Sequence, residues 1–159
     1  MQETVRLGVV GLGGMGSGHL GYLTSLPGVT VTAVCDIVPE RADAAAAKCG
    51  AQPFTDHEAL LAHGVVDAVL IATPHYAHTP VAINAFQAGK HVLCEKPLAV
   101  HVNDAQKMID AYEHARAANP NLVFGIMFQE RTAPAYRKLK DLLQGGELGD
   151  RKSSCRERV

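Results

Sequence analysis

Short apolar runs alternate along this chain with longer segments in which apolar residues recur at helical spacing. The apolar runs are rich in β-branched residues and lack strict polar alternation, which is typical of parallel strands covered on both faces. They predict six strands, at residues 5–10, 29–35, 52–54, 65–72, 91–94 and 122–128. Because strands alternate with helices, the pattern predicts an α/β fold of right-handed βαβ units. The expected architecture is a doubly wound parallel sheet in the strand order 3-2-1-4-5-6.

The ends of the helical segments carry start and stop signals. Pro39 suits the first turn of the second helix, and Gly50 suits its C-terminal stop. Thr55 or Asp56 is expected to cap the third helix, and Asn103 is expected to cap the fifth. In such a sheet the loops after strands one, four, five and six open on one edge, where ligands bind.

The turn between the first strand and the first helix has the glycine spacing G-x-G-x-x-G. Its residues are Gly11, Leu12, Gly13, Gly14, Met15 and Gly16. Gly11 suits a tight turn, Gly13 a close backbone approach to phosphates, and Gly16 close packing of helix on strand. A helix start also offers unpaired N–H donors, which suit a dinucleotide pyrophosphate. Alone, the spacing is equally compatible with a plain loop between strand and helix.

An acidic residue stands where a dinucleotide-binding fold needs one. Asp36 ends the second apolar run, twenty residues after Gly16, and is expected to bind the adenosine ribose hydroxyls. A carboxylate there repels a 2′-phosphate, and the next residue is Ile37 rather than a cation. NAD is therefore the expected cofactor, while nearby Arg41 leaves NADP possible. The alternative interpretation of Asp36 is an ordinary strand-end or helix-capping acid.

Charge and composition narrow the possible partners. The 159 residues carry a formal net charge of -1 with a pI near 6.7, so no basic field favours nucleic acid or an anionic membrane. No apolar segment approaches a bilayer span, and the first residues do not resemble a secretion signal. A cytoplasmic protein with a small-molecule ligand is the simplest expectation.

The side chains that could bind metal or form disulfides are scattered. Cys35 and Cys94 fall within apolar runs and are expected to be small buried hydrophobic residues. His75 and His78 lie close together, but zinc would need further ligands at suitable spacing. No metal is expected.

Taken together, the motifs resemble the Gfo/Idh/MocA oxidoreductases, typified by glucose-fructose oxidoreductase and inositol dehydrogenase. The resemblance runs from about residue 5 to residue 149. Beyond the glycine turn and Cys35-Asp36, it rests on Ala72-Thr73-Pro74 with His78, on residues 88–92 leading into Glu95-Lys96-Pro97, and on Gln129, Arg131 and Pro134. Glu-Lys-Pro after a fifth strand is far more specific than the glycines.

The resemblance implies a site. Thr73, Pro74 and His78 would lie along the cofactor, with Glu95 and Lys96 at its nicotinamide end. Lys96 would be catalytic: its ammonium could hydrogen-bond the reacting oxygen as hydride moves, or exchange the substrate proton. A cis Lys96-Pro97 bond, frequent in the family, would aim Lys96 inward. Alternatively, His78 has a purely structural hydrogen bond and Lys96 is a solvated surface lysine.

The resemblance also implies that members of the family have two domains, one that binds the cofactor and one that binds the substrate. Residues 1–149 would be the dinucleotide-binding domain, residues 150–159 read as an irregular tail, and the family's second, substrate-binding domain is expected to be missing. Two functions follow. The chain is either the cofactor half of an oxidoreductase for sugars or cyclitols, completed by self-association or a partner chain, or a non-catalytic NAD-binding module or truncated fragment. A methyltransferase with a similar glycine turn is disfavoured by Glu95-Lys96-Pro97.

Overall fold

A six-stranded parallel sheet is the centre of the computed structural model, which describes residues 4–147. The strand order is β3-β2-β1-β4-β5-β6, so the predicted order is confirmed. The strands are β1 (Val5–Val10), β2 (Val29–Cys35), β3 (Gln52–Phe54), β4 (Ala68–Ile71), β5 (His91–Cys94) and β6 (Phe124–Ile126). The predicted tail at 150–159 lies outside the described residues.

Helices connect successive strands. They are α1 (Gly14–Leu23), α2 (Pro39–Cys49), α3 (His57–Ala62), α4 (His78–Gln87), α5 (Val102–Ala118) and α6 (Pro134–Gln144), with 3₁₀ turns at His75–Ala77 and Gln129–Thr132. Residues up to Met127 form one compact unit, which holds the whole sheet, and residues from Phe128 form a second. Within residues 4–147, no helix combines the length and apolarity needed to cross a membrane.

The sheet is covered by a hydrophobic core on each face. On one face, Leu7 and Val9 of β1 pack with buried residues of α1 and α2, including Leu20 and Ala42. On the other, the next strand position, Val10, joins a larger core that contains the buried residues of α3, α4 and α5. Alternate residues of one strand thus enter opposite cores, which explains the uninterrupted apolar runs in the sequence.

Three of the four predicted helix-end signals are confirmed, and one of them is Pro39 in the first turn of α2. The Asp56 carboxylate accepts from the backbone N–H groups of Glu58 and Ala59 at the start of α3, and Gly50 ends α2 in the left-handed conformation. The prediction for Asn103 is wrong, because α5 begins at Val102 after the N-cap residue His101. This earlier start places Asp104 in the first turn, where a carboxylate interacts favourably with the helix dipole.

Two strands are shorter than their apolar runs predicted. Strand β4 begins at Ala68 rather than residue 65, and just before it the Asp67 carboxylate accepts from the Arg6 side chain and backbone N–H. Strand β6 covers three residues instead of 122–128, since its only paired neighbour in the sheet, β5, offers partners from Val92 to Cys94. The neighbouring strand, rather than local hydrophobicity, therefore sets the length of β6.

Candidate functional site

The glycine turn after β1 is held in a conformation and a packing that side chains would disrupt. Gly11 has a φ of +92°, and a Cβ added there would lie 2.7 Å from the backbone of Ala72 and Thr73. A Cβ on Gly16 would collide with the carbonyl oxygen of Gly11. The predicted tight turn and the predicted close approach of helix and strand are both confirmed.

The next glycines face open space instead. Apart from the adjoining residues and the backbone of α1, no heavy atom among residues 4–147 lies within 4 Å of a Cβ built on Gly13 or Gly14. Gly13 is the N-cap of α1, and no side chain of the described residues caps that helix or places an acid in its first turn. The first N–H groups of α1 are therefore available to an anion that approaches along these glycines.

A cleft of about 520 Å³ opens beside this turn. Its walls come from the glycine turn, the end of β2 and the loop that follows β4, and they include Gly13, Asp36, Thr73, Pro74 and Met15. Within residues 4–147, the buried Thr73 hydroxyl has no hydrogen-bond partner. Because buried hydroxyls are normally satisfied, this group fits a ligand that brings a polar atom into the cleft.

Asp36 is fixed at the floor of the cleft with part of its acceptor capacity unused. It is 7% exposed, and its two carboxylate oxygens accept from the backbone N–H groups of Leu12 at 2.8 Å and Val38 at 2.9 Å. The Arg41 guanidinium approaches one of these oxygens at 3.8 Å. A carboxylate has about four acceptor positions, so Asp36 can still accept from a pair of hydroxyls.

His78 lies behind the cleft instead of lining it. Its ring is fully buried, with Nδ1 2.8 Å from the Pro97 carbonyl oxygen and Nε2 3.0 Å from the Thr73 carbonyl oxygen. A carbonyl oxygen can only accept, so a doubly protonated ring donates to both and a neutral ring to one. The residue ties the loop after β4 to the loop after β5. Its predicted contact with a cofactor stays a prediction.

Glu95 and Lys96 follow β5 with opposite exposures. Glu95 is 4% exposed, while Lys96 is exposed to solvent and is followed by a cis peptide bond to Pro97. One Glu95 carboxylate oxygen accepts from the Lys96 backbone N–H at 3.0 Å, and the other lies 2.7 Å from Nε2 of His19 on α1. Neither Glu95 nor Lys96 lines the 520 Å³ cleft itself.

His19 is a residue that sequence reasoning missed. It lies 76 positions before its partner Glu95, so no local spacing connects the two. A usable signal is its place three residues after Gly16, one helical turn behind the N-terminal end of α1 and on the same side as that glycine.

The part of the chain that builds this cleft also matches a known protein family. Residues 5–118 match the family model GFO_IDH_MocA, described as an oxidoreductase family with an NAD-binding Rossmann fold. The chain belongs to this family. The resemblance that the motifs implied is therefore confirmed, together with the doubly wound fold.

Relatives within the Gfo/Idh/MocA family include inositol dehydrogenases. Inositol 2-dehydrogenase of Salmonella paratyphi B is 40% identical over 149 residues, which cover 92% of this chain and 43% of that protein. The structure of scyllo-inositol dehydrogenase from Lactobacillus casei with NAD(H) and scyllo-inositol has a TM-score of 0.81 and 31% identity, and 93% of this chain covers 43% of it.

A further solved relative is the WlbA dehydrogenase from Bordetella pertussis, in complex with NADH and UDP-GlcNAcA. It has a TM-score of 0.85 and 32% identity, with coverage of 92% of this chain and 44% of that one. The chain thus spans less than half the length of these relatives. All of them share the fold on which the cleft is built.

Two cysteines of this family member, Cys35 and Cys94, lie in the hydrophobic core. Burial, chiefly, raises the pKa of Cys35 to about 12, and the nearby carboxylates of Asp56 and Asp36 add to the effect. Burial likewise raises the pKa of Cys94 to about 12, with a smaller contribution from the Glu95 carboxylate. Both thiols stay protonated at neutral pH, so neither is a nucleophile. The expectation that they are buried is confirmed.

Proposed function

We propose that this chain supplies the cofactor-binding half of an NAD-dependent oxidoreductase that acts on a cyclitol or a related small polyol. The observation that carries the proposal is the convergence on one cleft of three kinds of unused polar group. These groups, which lack partners among residues 4–147, are the N–H groups at the start of α1, the remaining acceptor positions of Asp36 and the Thr73 hydroxyl. NAD would supply the hydride acceptor for the reaction.

Each group matches one part of a dinucleotide. The N-terminus of α1, beside Gly13 and Gly14, would hold the pyrophosphate, because it combines N–H donors with the positive end of the helix dipole. The Asp36 carboxylate would accept from the ribose hydroxyls. Thr73 and Pro74 line the cleft further along, and the Thr73 hydroxyl would bind a polar atom of the cofactor. Leu12 and Met15 complete the turn.

Lys96 is proposed as the catalytic residue. Its ammonium is exposed beyond the end of β5, where it is accessible to a substrate. Three rotatable N–H donors can bind the reacting oxygen and stabilise the charge that develops there, or one of them can exchange a proton with it. Exposure alone also fits a solvated lysine, so the chemical role rests on the resemblance of Glu95-Lys96-Pro97 to the family.

NAD is proposed over NADP because Asp36 leaves a negative charge at the ribose end. A charge-assisted hydrogen bond contributes roughly 1.5–3 kcal/mol, which is about ten- to a hundredfold in affinity. Arg41 is the nearby cation and is 56% exposed. If the chain prefers NADP, the Arg41→Ala variant should lose that preference, whereas NAD affinity should then change little.

The substrate site is proposed to be completed outside the described residues. The chain spans 43% of the Salmonella inositol dehydrogenase. The walls and proton-transfer groups of the substrate site would come from residues outside the described ones, whether in the same protein, in a second copy or in a partner chain. We assign residues 1–149 to the dinucleotide-binding domain. The second candidate function is an NAD-binding module without turnover, which is supported by the absence of Glu95 and Lys96 from the lining of the cleft.

Titration calorimetry with NAD and NADP, followed by an assay for NADH formation with inositols, tests the proposal. A Gly13→Ala variant should fold, because its Cβ enters open space, but should bind NAD at least tenfold more weakly. Gly18→Ala is the matched control, since it also enters open space but lies further along α1. Equal NAD affinity in the two variants would contradict the proposed cleft. Binding without turnover would favour the non-catalytic module.

A further inference from the structure

The buried carboxylate of Glu95 connects two parts of the molecule that the sheet itself keeps apart. In the sheet, β4 separates β1 from β5, so no ladder of backbone hydrogen bonds joins the β1–α1 unit to the end of β5. The Glu95 side chain bridges this gap, with His19 of α1 on one oxygen and the Lys96 N–H on the other. The same carboxylate therefore contacts the phosphate-facing helix and the backbone of Lys96.

The arrangement fixes both partners of Glu95. A carboxylate can only accept, so Nε2 of His19 must carry the proton in this 2.7 Å contact. Glu95 is 4% exposed, and a buried carboxylate that lacks donors is strongly destabilising. The pair is therefore held firmly, and the orientation of Glu95 in turn determines where the Lys96 N–H can lie.

A second histidine holds the other side of the same segment. His78 lies within hydrogen-bonding distance of the carbonyl oxygen of Pro97, the residue that follows Lys96. The backbone on either side of Lys96 is thus tied to a histidine from a different helix, while the Lys96 side chain stays exposed. His19 does not line the cofactor cleft, so it acts on Lys96 only through Glu95.

We propose that His19 is a positioning residue, which holds the backbone of Lys96 through Glu95 and links it to the pyrophosphate-binding end of α1. The role at Lys96 rests on the proposed function of the cleft. Removal of the His19 donor should loosen the Lys96 segment locally while the rest of the sheet stays intact. It should leave NAD affinity nearly unchanged, because α1 keeps its free N–H groups.

Amide hydrogen exchange, resolved at single residues by NMR, tests the connection from His19 through Glu95 to Lys96 without any cofactor. His19→Gln keeps an amide donor that can reach Glu95, whereas His19→Asn has the same amide on a side chain too short to reach it. We expect the Lys96 N–H to exchange about ten- to a hundredfold faster in His19→Asn, with most of the protection restored in His19→Gln. His114→Asn, a substitution at an exposed histidine of α5, is the control.

The outcomes separate the positioning role from a general loss of stability. An unchanged Lys96 exchange rate in His19→Asn, or an equal increase throughout β1 and β5, would overturn the proposal. If His19→Asn does not fold, His19→Leu takes its place, because leucine fills a similar volume without a donor and leaves Glu95 unchanged. Faster exchange at Lys96 with unchanged exchange in β1 would support the connection, and unchanged exchange at both would refute it.

A second measurement tests whether the contact between His19 and Glu95 also affects Lys96 when the cofactor is bound. Saturating NAD should protect the Lys96 amine from reductive methylation in wild type and in His19→Gln. In His19→Asn, at equal NAD occupancy, this protection should be at least fivefold smaller. Equal protection in both variants would refute the positioning role. Failure of wild type to bind NAD would instead refute the proposed function, and the exchange data would still decide whether His19 holds Lys96.

Discussion

Replacement of Thr73 by valine should have opposite effects on stability and on cofactor binding. The Thr73 hydroxyl is buried and has no partner among residues 4–147, so the protein without ligand bears its desolvation cost. An unsatisfied buried hydroxyl costs roughly 1–3 kcal/mol, and valine has nearly the same shape without the polar atom. We therefore expect Thr73→Val to raise the free energy of unfolding by about 1 kcal/mol, or Tm by roughly 2–4 °C.

The same substitution should weaken NAD binding, because the hydroxyl is proposed to bind the cofactor. Loss of one neutral hydrogen bond of about 1 kcal/mol corresponds to roughly a fivefold higher Kd. Urea unfolding and calorimetric titration measure the two effects. Thr32→Val is the control, since the Thr32 hydroxyl donates to the Val65 carbonyl oxygen at 2.7 Å and its removal should destabilise the protein. A destabilised Thr73→Val variant with wild-type NAD affinity would refute the reasoning.

Further predictions concern the turn, the surface ion pair and the buried thiols. Gly16→Ala should prevent folding or NAD binding, because the new Cβ collides with a backbone carbonyl. Gly18→Ala, whose Cβ enters open space, should instead raise the free energy of unfolding by up to about 1 kcal/mol. The pKa of Asp67 is lowered to about 2, chiefly by the side-chain hydrogen bond from its arginine partner. A lowered carboxyl pKa stabilises the folded state above the ordinary pKa of 3.8, so the small contribution of Asp67 to the free energy of unfolding should be lost as pH falls from about 4 to 2. Urea unfolding of Asp67→Asn should therefore show a flatter pH dependence in that range. Cys35 and Cys94 should resist iodoacetamide at pH near 8 in the folded protein and react in urea; rapid labelling of either in the folded state would contradict the raised pKa values.

Features that depend on a few neighbouring residues could be predicted from the sequence. The turn at Gly11 and Gly16, the end of α2 at Gly50 and the cap at Asp56 each follow from local backbone chemistry. The strand order followed from the alternation of strands with helices, because chirality and short connections leave few arrangements. The position of Asp36 at the floor of the cleft follows from the same βαβ unit.

Features that depend on distant pairing could not be predicted in this way. The start of β4 lies directly after the contact between Arg6 and Asp67, which are 61 positions apart. The cap expected at Asn103 was wrong because asparagine can cap a helix without having to do so, and the N-cap of α5 is His101, two residues earlier. The contact of His19 with Glu95 joins residues 76 positions apart, so no local spacing predicts the pair, although the contact bears directly on Lys96.

The pattern of hydrogen bonds distinguishes the polar groups that face a ligand from the polar groups that support them. Around the sheet edge, the buried polar side chains of His78 and Glu95 have protein partners for both of their polar atoms. By contrast, the Thr73 hydroxyl and the first N–H groups of α1 lack such partners within residues 4–147, and both belong to the cleft. Because an unpaired buried hydroxyl is costly, the position of the Thr73 hydroxyl in the same cleft as the uncapped helix start indicates a binding site more specifically than the glycine spacing does. The satisfied groups lie directly behind it, where they fix the backbone from which Lys96 projects.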